Sequence, residues 1–505
     1  MLLFIFAMSP ILLVLIGMIG FNLSGKYVGP AASVYAAIIC ILYFNKADYM
    51  VTNGLAKVIG VDYYQGAKEG FKIFCLIWPA FIVLKTLMNT GAIEKIKEAL
   101  SGVTDDKRIQ LILIGELFVV FLEGAAGAGS PAAVAGPFLV ALGIDPVLSA
   151  AIALIGDGIC TSYGGAGLST IGGGAYLVQQ GVATAKMNGM MAARLHIWGY
   201  MIAPALMIYL VYGRKGFKNL KGYLLWASLS TPVVLIFTTH VLGPEFGSLG
   251  TGAISLALSA AFLMLVKFKT PEEYKQTVTL TAQSSQYGKL QAFAPYILIV
   301  LGLPIVRFTV PWKILTMFGY IVWVNTVLFL CSFFGAMILK VKLSDYFKIV
   351  GNCFKTLFPA FITIGSLLVV SSLMNHSGMI RIMAEYCARI AGRIYPAMAV
   401  LIGGIGAFIT GTCLGSNIMF APMHLIAAQN LNLNVLTIFA GSNTGGSLGN
   451  MICPNNVIAA AATVGVIGKE GAIMKKTFKA FFFLIPVYMV ATMIYTFIVF
   501  PNWTI

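Results

Sequence analysis

The chain has 505 residues, 59% of them hydrophobic and 10% charged, with 33 Lys+Arg against 17 Asp+Glu and a formal net charge of +16. Mean hydropathy is +0.91. A water-soluble protein of this length needs far more polar surface, which sets aside soluble enzymes and nucleic-acid-binding domains. The positive excess fits short basic loops on the cytoplasmic side of a membrane, in contact with anionic lipid.

Apolar runs recur along the chain at 2–22, 27–44, 195–213, 246–266, 314–339 and 480–500. Each approaches the roughly 20 helical residues that cross a hydrocarbon core. Strand-like alternation is absent, so of the two structures that satisfy their backbone in lipid, helices are expected. The fold class predicted is an all-α polytopic membrane protein with about 11–14 membrane segments. Residues 1–20 lack a basic leader and read as a retained first helix. The 8 cysteines are scattered, without a CxxC pair, and read as packing residues.

In chain order the organisation expected is N-terminal membrane helices (1–70), a first repeat with hairpins (71–185), connecting membrane helices (186–266), a polar inter-repeat loop (267–290), further membrane helices (291–356), a second repeat with hairpins (357–468) and a C-terminal membrane helix (469–505). The basic segments lie at 214–221, 267–289, 340–355 and 469–479. The repeat rests on matches in the same order. Trp78-Pro79-Ala80-Phe81-Ile82 matches Phe358-Pro359-Ala360-Phe361-Ile362, and Leu87-Met88-Asn89 matches Leu373-Met374-Asn375. Phe121-Leu122-Glu123-Gly124 lines up with Phe408-Ile409-Thr410-Gly411, and 156–165 with 441–450. Duplicated halves with helices broken by Gly and Pro are the sequence pattern of secondary transporters. Such breaks free backbone N–H groups for an anion and carbonyls for a cation. For a single glycine, close helix packing is the simpler account. Paired Gly/Ser/Asn/Thr clusters point to a site.

Ionisable groups within these regions are few. Residues 394–468 contain no Asp, Glu, Lys or Arg. Recognition in the second repeat therefore falls to neutral groups: Thr410, Thr412, Ser416, Asn417, Ser442, Asn443 and Thr444, with backbone amides. The first repeat places Glu123 and Asp157 at the positions of Thr410 and, approximately, Ser442 or Asn443. A carboxylate at membrane depth is functional by default, and desolvation favours its protonated form, which suits proton uptake and release. Glu116, seven residues earlier on a similar helix face, reads as nearer the interface. Of the four histidines, His196 reads as interfacial, while His240 and His424 lie deeper. His376 sits beside the Asn375/Ser377 turn. No HExxH and no GxxxxGK[ST] occurs, so neither a zinc protease nor an ATP-driven motor is indicated. No cofactor and no metal are expected.

The run Phe121-Leu122-Glu123-Gly124-Ala125-Ala126-Gly127-Ala128-Gly129-Ser130-Pro131 resembles the "EGAAGFG-P" signature of the L-lactate permease family. Residues 138–143 are similar to its "LLVGLG". Ser442-Asn443-Thr444-Gly445-Gly446, Met451-Ile452 with Pro454, and 466–470 resemble "NTTGG", "KMISP" and "GLVGKE". The resemblance covers roughly 71–479 and appears in both halves. It implies a proton-coupled symporter of lactate, glycolate and similar 2-hydroxy monocarboxylates in a bacterial inner membrane. It also implies paired re-entrant hairpins, with elevator movement as one mode of action. Three positions depart from the family pattern. Asp157 stands where it has Asn, Cys413 where it has Asp, and Asn450 where it has Lys. All three lie in the expected site and bear on the substrate.

The expected site therefore has Glu123 and Asp157 for the coupling ion. For substrate it has Gly127, Gly129, Ser130, Thr412, Ser416, Asn417, Ser442, Asn443 and Thr444. The partners are a small organic anion, a proton or a sodium ion, and lipid, with no nucleic acid; homo-oligomers rest on fold analogy alone. Sodium coupling, a passive anion channel and an intramembrane enzyme using Glu123 and Asp157 remain alternatives at this point.

Overall fold

The computed structural model describes residues 2–17, 21, 23, 25–127, 130–266, 268–275, 287–310, 320–466 and 469–502. Half of the polar 267–290 segment (267 and 276–286) and the start of the 314–339 run lie outside the described residues. Among those described, no β-ladder forms, and a single bridge joins Asp106 and Lys275.

The first helices are α1 (Leu2–Leu15), α2 (Gly25–Tyr43), α3 (Leu55–Thr90) and the amphipathic α4 (Ala92–Ser101). Then comes α5, built of Lys107–Ile112, a π-helical turn Leu113–Phe118 and Val119–Ala126. A hairpin follows, α6 (Ser130–Ala141) and α7 (Pro146–Gly158), then the short α8 (Gly164–Ile171) and α9 (Ala175–Gln179). Next in the chain are α10 (Ala185–Tyr212), α11 (Lys221–Phe237), α12 (Leu249–Leu265), α13 (Lys289–Thr309) and α14 (Tyr320–Ile338). The succession then recurs with α15 (Leu343–His376), the amphipathic α16 (Met379–Ala391), α17 (Tyr395–Thr410), α18 (Cys413–Leu431), α19 (Val435–Asn450), α20 (Pro454–Thr463) and α21 (Glu470–Ile494).

Six described helical segments are long and apolar enough to cross a membrane, or seven if the pair Pro146–Gly158 and Thr161–Gln179, bent by 56°, is taken as one span. The larger number expected counted apolar stretches. Several of these are hairpin arms or broken helices too short to cross alone. The basic segments 340–355 and 469–479 are not loops but the starts of α15 and α21. A helix of 34 residues is about 51 Å long at about 1.5 Å per residue, well beyond a hydrocarbon core of roughly 30 Å. Its end can therefore carry lysines outside the lipid.

Helices α3 and α15 pack along one another, and α2 covers α15. Their crossing is possible because Gly70 meets Gly365: a Cβ on Gly70 would lie 2.8 Å from the Gly365 Cα. Each Pro-Ala-Phe motif packs on the opposite helix here, with Trp78 on Phe354 at 5.0 Å between ring centroids and Phe361 on Phe74 at 5.9 Å. Small residues make a second close crossing between α17 and α19. A Cβ on Gly403, Gly445 or Gly449 would overlap the carbonyl of Ser442, Val400 or Gly404 respectively. These glycines, expected within a ligand-binding cluster, lie inside continuous helices and serve backbone approach. The main apolar core surrounds α5, α7, α10, α19 and α21. A second joins α1 and α2 to parts of α15, α16 and α18. At the start of α5, buried Arg108 is held by Asp106 at 2.6 Å, donates to the carbonyls of Gly216 and Lys218, and lies over the Tyr274 ring.

Candidate functional site

Capping residues start the helices that build the site. Asp145 accepts from the Leu148 amide at 3.0 Å and is followed by Pro146 at the first turn of α7. Thr412 accepts from the Gly415 amide at 2.9 Å to start α18, and Asn434 accepts from the Leu436 amide at 2.9 Å to start α19. Such side-chain acceptors satisfy otherwise orphaned N–H groups. Counted from their caps, Asp157 in α7 falls level with Gly446 in α19, not with Ser442 or Asn443. Beyond α7 the chain turns at 159–163 and then passes through Gly165, Ala166 and Gly167, whose φ angles are +53°, +55° and +78°. Left-handed backbone in consecutive residues explains two of the glycines and breaks the helix.

Across this break the two halves of the chain meet through uncharged hydrogen bonds. Asn417 Nδ2 donates to Asn443 Oδ1 at 2.8 Å and to the Ser169 carbonyl at 2.9 Å. Asn443 Nδ2 donates to Thr170 Oγ1 at 2.7 Å, and Thr170 Oγ1 donates to the Ser162 carbonyl at 2.6 Å. Ser162 donates through its amide to Ser447 Oγ at 3.2 Å and through its hydroxyl to the Asn443 carbonyl at 3.2 Å. His196 holds the same hydroxyl at 2.8 Å and Tyr488 OH at 3.0 Å. Every side chain in this network is buried and none carries a fixed charge; buried polar groups are normally paired, yet Asn417 Oδ1 has no partner.

Beside the network lie carboxyl groups. Asn450 Nδ2 donates to Asp157 Oδ2 at 2.7 Å and to Thr161 Oγ1 at 3.2 Å, and Asn456 Nδ2 donates to Asn450 Oδ1 at 2.9 Å. The carboxyl of Glu123 lies against that of Asp157. No N–H or hydroxyl donor reaches either oxygen of Glu123 or Oδ1 of Asp157. The backbone closes around this pair. A Cβ on Gly164 would overlap the Glu123 carboxyl, and one on Gly127, whose φ is +62°, would lie 2.8 Å from the Gly165 nitrogen. Two facing carboxyls with three of their four oxygens lacking a donor can be satisfied by a proton between them.

The structure thus brings Glu123, Asp157, Asn417 and Asn443 to one region. The other expected residues play smaller parts. Thr412 caps α18, Ser416 donates to the Gly403 carbonyl at 2.9 Å, and Thr444 donates to the Gly441 carbonyl at 3.1 Å. The buried Ser442 hydroxyl has no partner. Gly129 and the Ser130 side chain lie outside the described residues. Two expectations are corrected. His196 is fully buried in the network, because α10 packs its face against α19 and α21. Glu116 is also fully buried, without a donor, on the π turn of α5; such turns often mark functional positions. Thr161, Ser162, Ser169, Thr170 and Tyr488 escaped sequence reading. Single hydroxyls in apolar sequence carry no signal of their own, although the Gly-rich surroundings of 161–170 gave one. The three departures from the family pattern are linked in space. Asp157 and Asn450 bond to each other, and Cys413 Sγ lies 3.3 Å from Asn443 Oδ1. Among the described residues, no group of three or more His, Cys, Asp or Glu is placed to hold a metal ion.

The family model described as L-lactate permease matches residues 3–342 and 304–499. The L-lactate permease of Escherichia coli (strain K12) is 25% identical over 518 residues, spanning 94% of this chain and 92% of the relative. Glycolate permease GlcA of the same organism is 24% identical over 530 residues, with 94% and 92% covered. The L-lactate permease of Halalkalibacterium halodurans is 25% identical over 508 residues, with 95% and 94% covered. Among solved structures, the Alcanivorax borkumensis YdaH transporter aligns with a TM-score of 0.49 at 14% identity over 89% of this chain and 88% of that one. Neisseria gonorrhoeae MtrF aligns with a TM-score of 0.47 at 12% identity over 94% and 96%.

Proposed function

The chain belongs to the L-lactate permease family, and from that premise we propose that it is a proton-coupled symporter of a small monocarboxylate such as L-lactate or glycolate. It is an integral protein of the bacterial inner membrane, and its named relatives are permeases rather than enzymes.

The observation that carries the proton reading is the facing pair Glu123 and Asp157, buried and without other donors on three of their four oxygens. With both ionised, the pair would place two negative charges next to any bound anion. One proton removes one of those charges, so anion binding and proton uptake favour each other by linkage. The substrate carboxylate and hydroxyl would be received by neutral donors of the Asn417–Asn443–Ser162 network and by Ser442, whose hydroxyl is unpartnered. The departures sharpen this point. The family pattern has Asn and Lys where this chain has Asp157 and Asn450. The pattern supplies a positive charge here; this chain supplies a carboxylate held by an amide. Protonation would take over the role of that missing charge. A proton requirement stronger than that of a site with a fixed cation follows.

The broken helices on both sides of the site, α7–α8 and α17–α18, supply backbone that can rearrange as a unit. The matching succession of elements at 55–212 and 343–494 supports duplicated halves working around a shared site. The test is uptake of labelled L-lactate and glycolate into proteoliposomes. Accumulation under an inward proton gradient that Glu123→Gln abolishes supports the reading. Accumulation driven only by sodium overturns the proton part and leaves the carboxylate part standing.

A further inference from the structure

A cavity of about 340 Å³ opens between α3 and α15 on one side and α9 and α18 on the other. Its wall carries Asp62, Gln65 and Glu69 from α3, Tyr176 from α9, and Asn375 and His376 from α15. The site described above does not include these residues. Asp62 is 1% exposed. It accepts from Ser372 Oγ at 2.7 Å, and His376 Nδ1 stands 3.0 and 3.1 Å from its two oxygens. The Tyr49 ring stacks on the imidazole at 4.3 Å between centroids and 12° between planes. The histidine is thereby held on two sides, while its side chain stays 25% exposed.

A carboxylate on Nδ1 fixes which nitrogen carries the proton toward it and leaves Nε2 as the outward group. Neutral imidazole offers an acceptor there; imidazolium offers a donor. The lining contains no lysine or arginine. Glu69 is matched by Lys72 at 2.7 Å. Of the other ionisable groups around the ring, Cys40 lies behind on α2 and donates to the Leu373 carbonyl. Tyr49 covers one face, and Tyr176 donates to Asn375 Oδ1 at 3.3 Å. The local charge is therefore set by Asp62 and His376. The pair is negative with neutral imidazole and neutral with imidazolium. An anion is repelled in the first state and accepted in the second.

We propose that this cavity is a docking station for the substrate carboxylate, which binds at Nε2–H of a His376 imidazolium oriented by Asp62. The inference rests on the carboxylate-transport reading and places a proton-dependent step ahead of the Glu123–Asp157 site. The two places are neighbours. Gly173 lines the cavity, and a Cβ there would collide with the Asn417 side chain. One glycine backbone therefore separates the docking station from the buried network. Asp62 is a positioning residue; His376 is the binding group.

The experiment measures initial rates of labelled L-lactate and glycolate uptake into proteoliposomes between about pH 5 and 8, the range in which histidine changes charge. For the wild type, KM is expected to rise by about tenfold per pH unit above the histidine transition, as one required proton dictates. His376→Gln should raise KM at low pH several-fold and make the profile shallower, leaving only the slope that the Glu123–Asp157 pair sets. Asp62→Asn loosens the hold on the imidazole and should raise KM at low pH without flattening the profile. A His376→Gln protein with the wild-type KM and pH profile overturns the docking proposal and leaves the transport reading intact. A wild type that moves neither acid under a proton or a sodium gradient overturns both. If the variants fail to insert, acylation of the wild type by diethyl pyrocarbonate decides instead. His196 and His424 are fully buried and His240 is partly so, so peptide mapping is used to follow His376 separately from His240. Lactate should slow its modification several-fold, and unchanged modification at saturating lactate rejects the proposal.

Discussion

Glu123→Gln separates the coupling role of the buried carboxyl pair from its structural role. Glu123 is 1% exposed, and no donor reaches either of its oxygens; Asp157 Oδ1 is also without one. Glutamine keeps the shape and brings an amide N–H that can donate to that Asp157 oxygen. An unsatisfied buried polar group costs about 1–3 kcal/mol, more when charged, so the variant should be more stable than the wild type by about that amount at pH values where the pair has lost its shared proton, and equal to it where the proton is bound. Its transport should change in the opposite direction. One proton moved per substrate makes each pH unit worth about 1.4 kcal/mol, or about tenfold accumulation. The variant should show no accumulation under that gradient, yet should still exchange labelled for unlabelled lactate across the bilayer. Thermal melting in detergent and counterflow in proteoliposomes give both readings. Accumulation by the variant at about tenfold per pH unit would falsify the coupling assignment. Melting below the wild type would show that Glu123 is held by partners other than Asp157.

Three further outcomes follow from particular contacts. Asn450→Ala removes the donor on Asp157 Oδ2 and the bond to Thr161. It should lower stability by about 1–3 kcal/mol and raise KM, as read from melting and uptake. Ser442→Ala removes a buried hydroxyl without a partner. It should leave the melting temperature of the empty protein unchanged or slightly higher, and reduce the stabilisation that added lactate gives. Gly445→Ala drives a Cβ into the Val400 carbonyl at the crossing of α17 and α19; a loss of about 1–3 kcal/mol should appear as lower melting and lower yield in the membrane.

Much of the molecule was legible from residue order because the bilayer imposes simple demands. Long apolar runs must be helical, and a carboxylate among them must have a reason to be there. Glu123 and Asp157 stood out on that ground, as did the ordered resemblances that led to the family. Neutral groups were harder to rank. Asn417 and Asn443 earned attention from their Gly-rich surroundings. Ser162 and Thr170 did not, since a hydroxyl in an apolar helix usually bonds its own backbone. The same glycine signal covered two different uses. Around Gly165 and Gly167 it marks left-handed backbone under the carboxyls; at Gly403 and Gly445 it marks two helices in close contact. Composition cannot tell these apart, because both exploit a missing Cβ.

What the sequence by itself determined is the helical membrane class, the family, and the pair of ionisable groups expected to matter. Only the tertiary structure decided which neutral groups join that pair. Residues 281 or more positions apart in the chain, such as Ser162 and Asn443 or Asp157 and Asn450, meet only when the two halves pack. The burial of His196 and the pairing of Asp62 with His376, 314 positions apart, were settled in the same way. Helix formation is a local response to hydrophobic sequence. The choice of hydrogen-bond partners is made by which helix faces remain to be buried against one another.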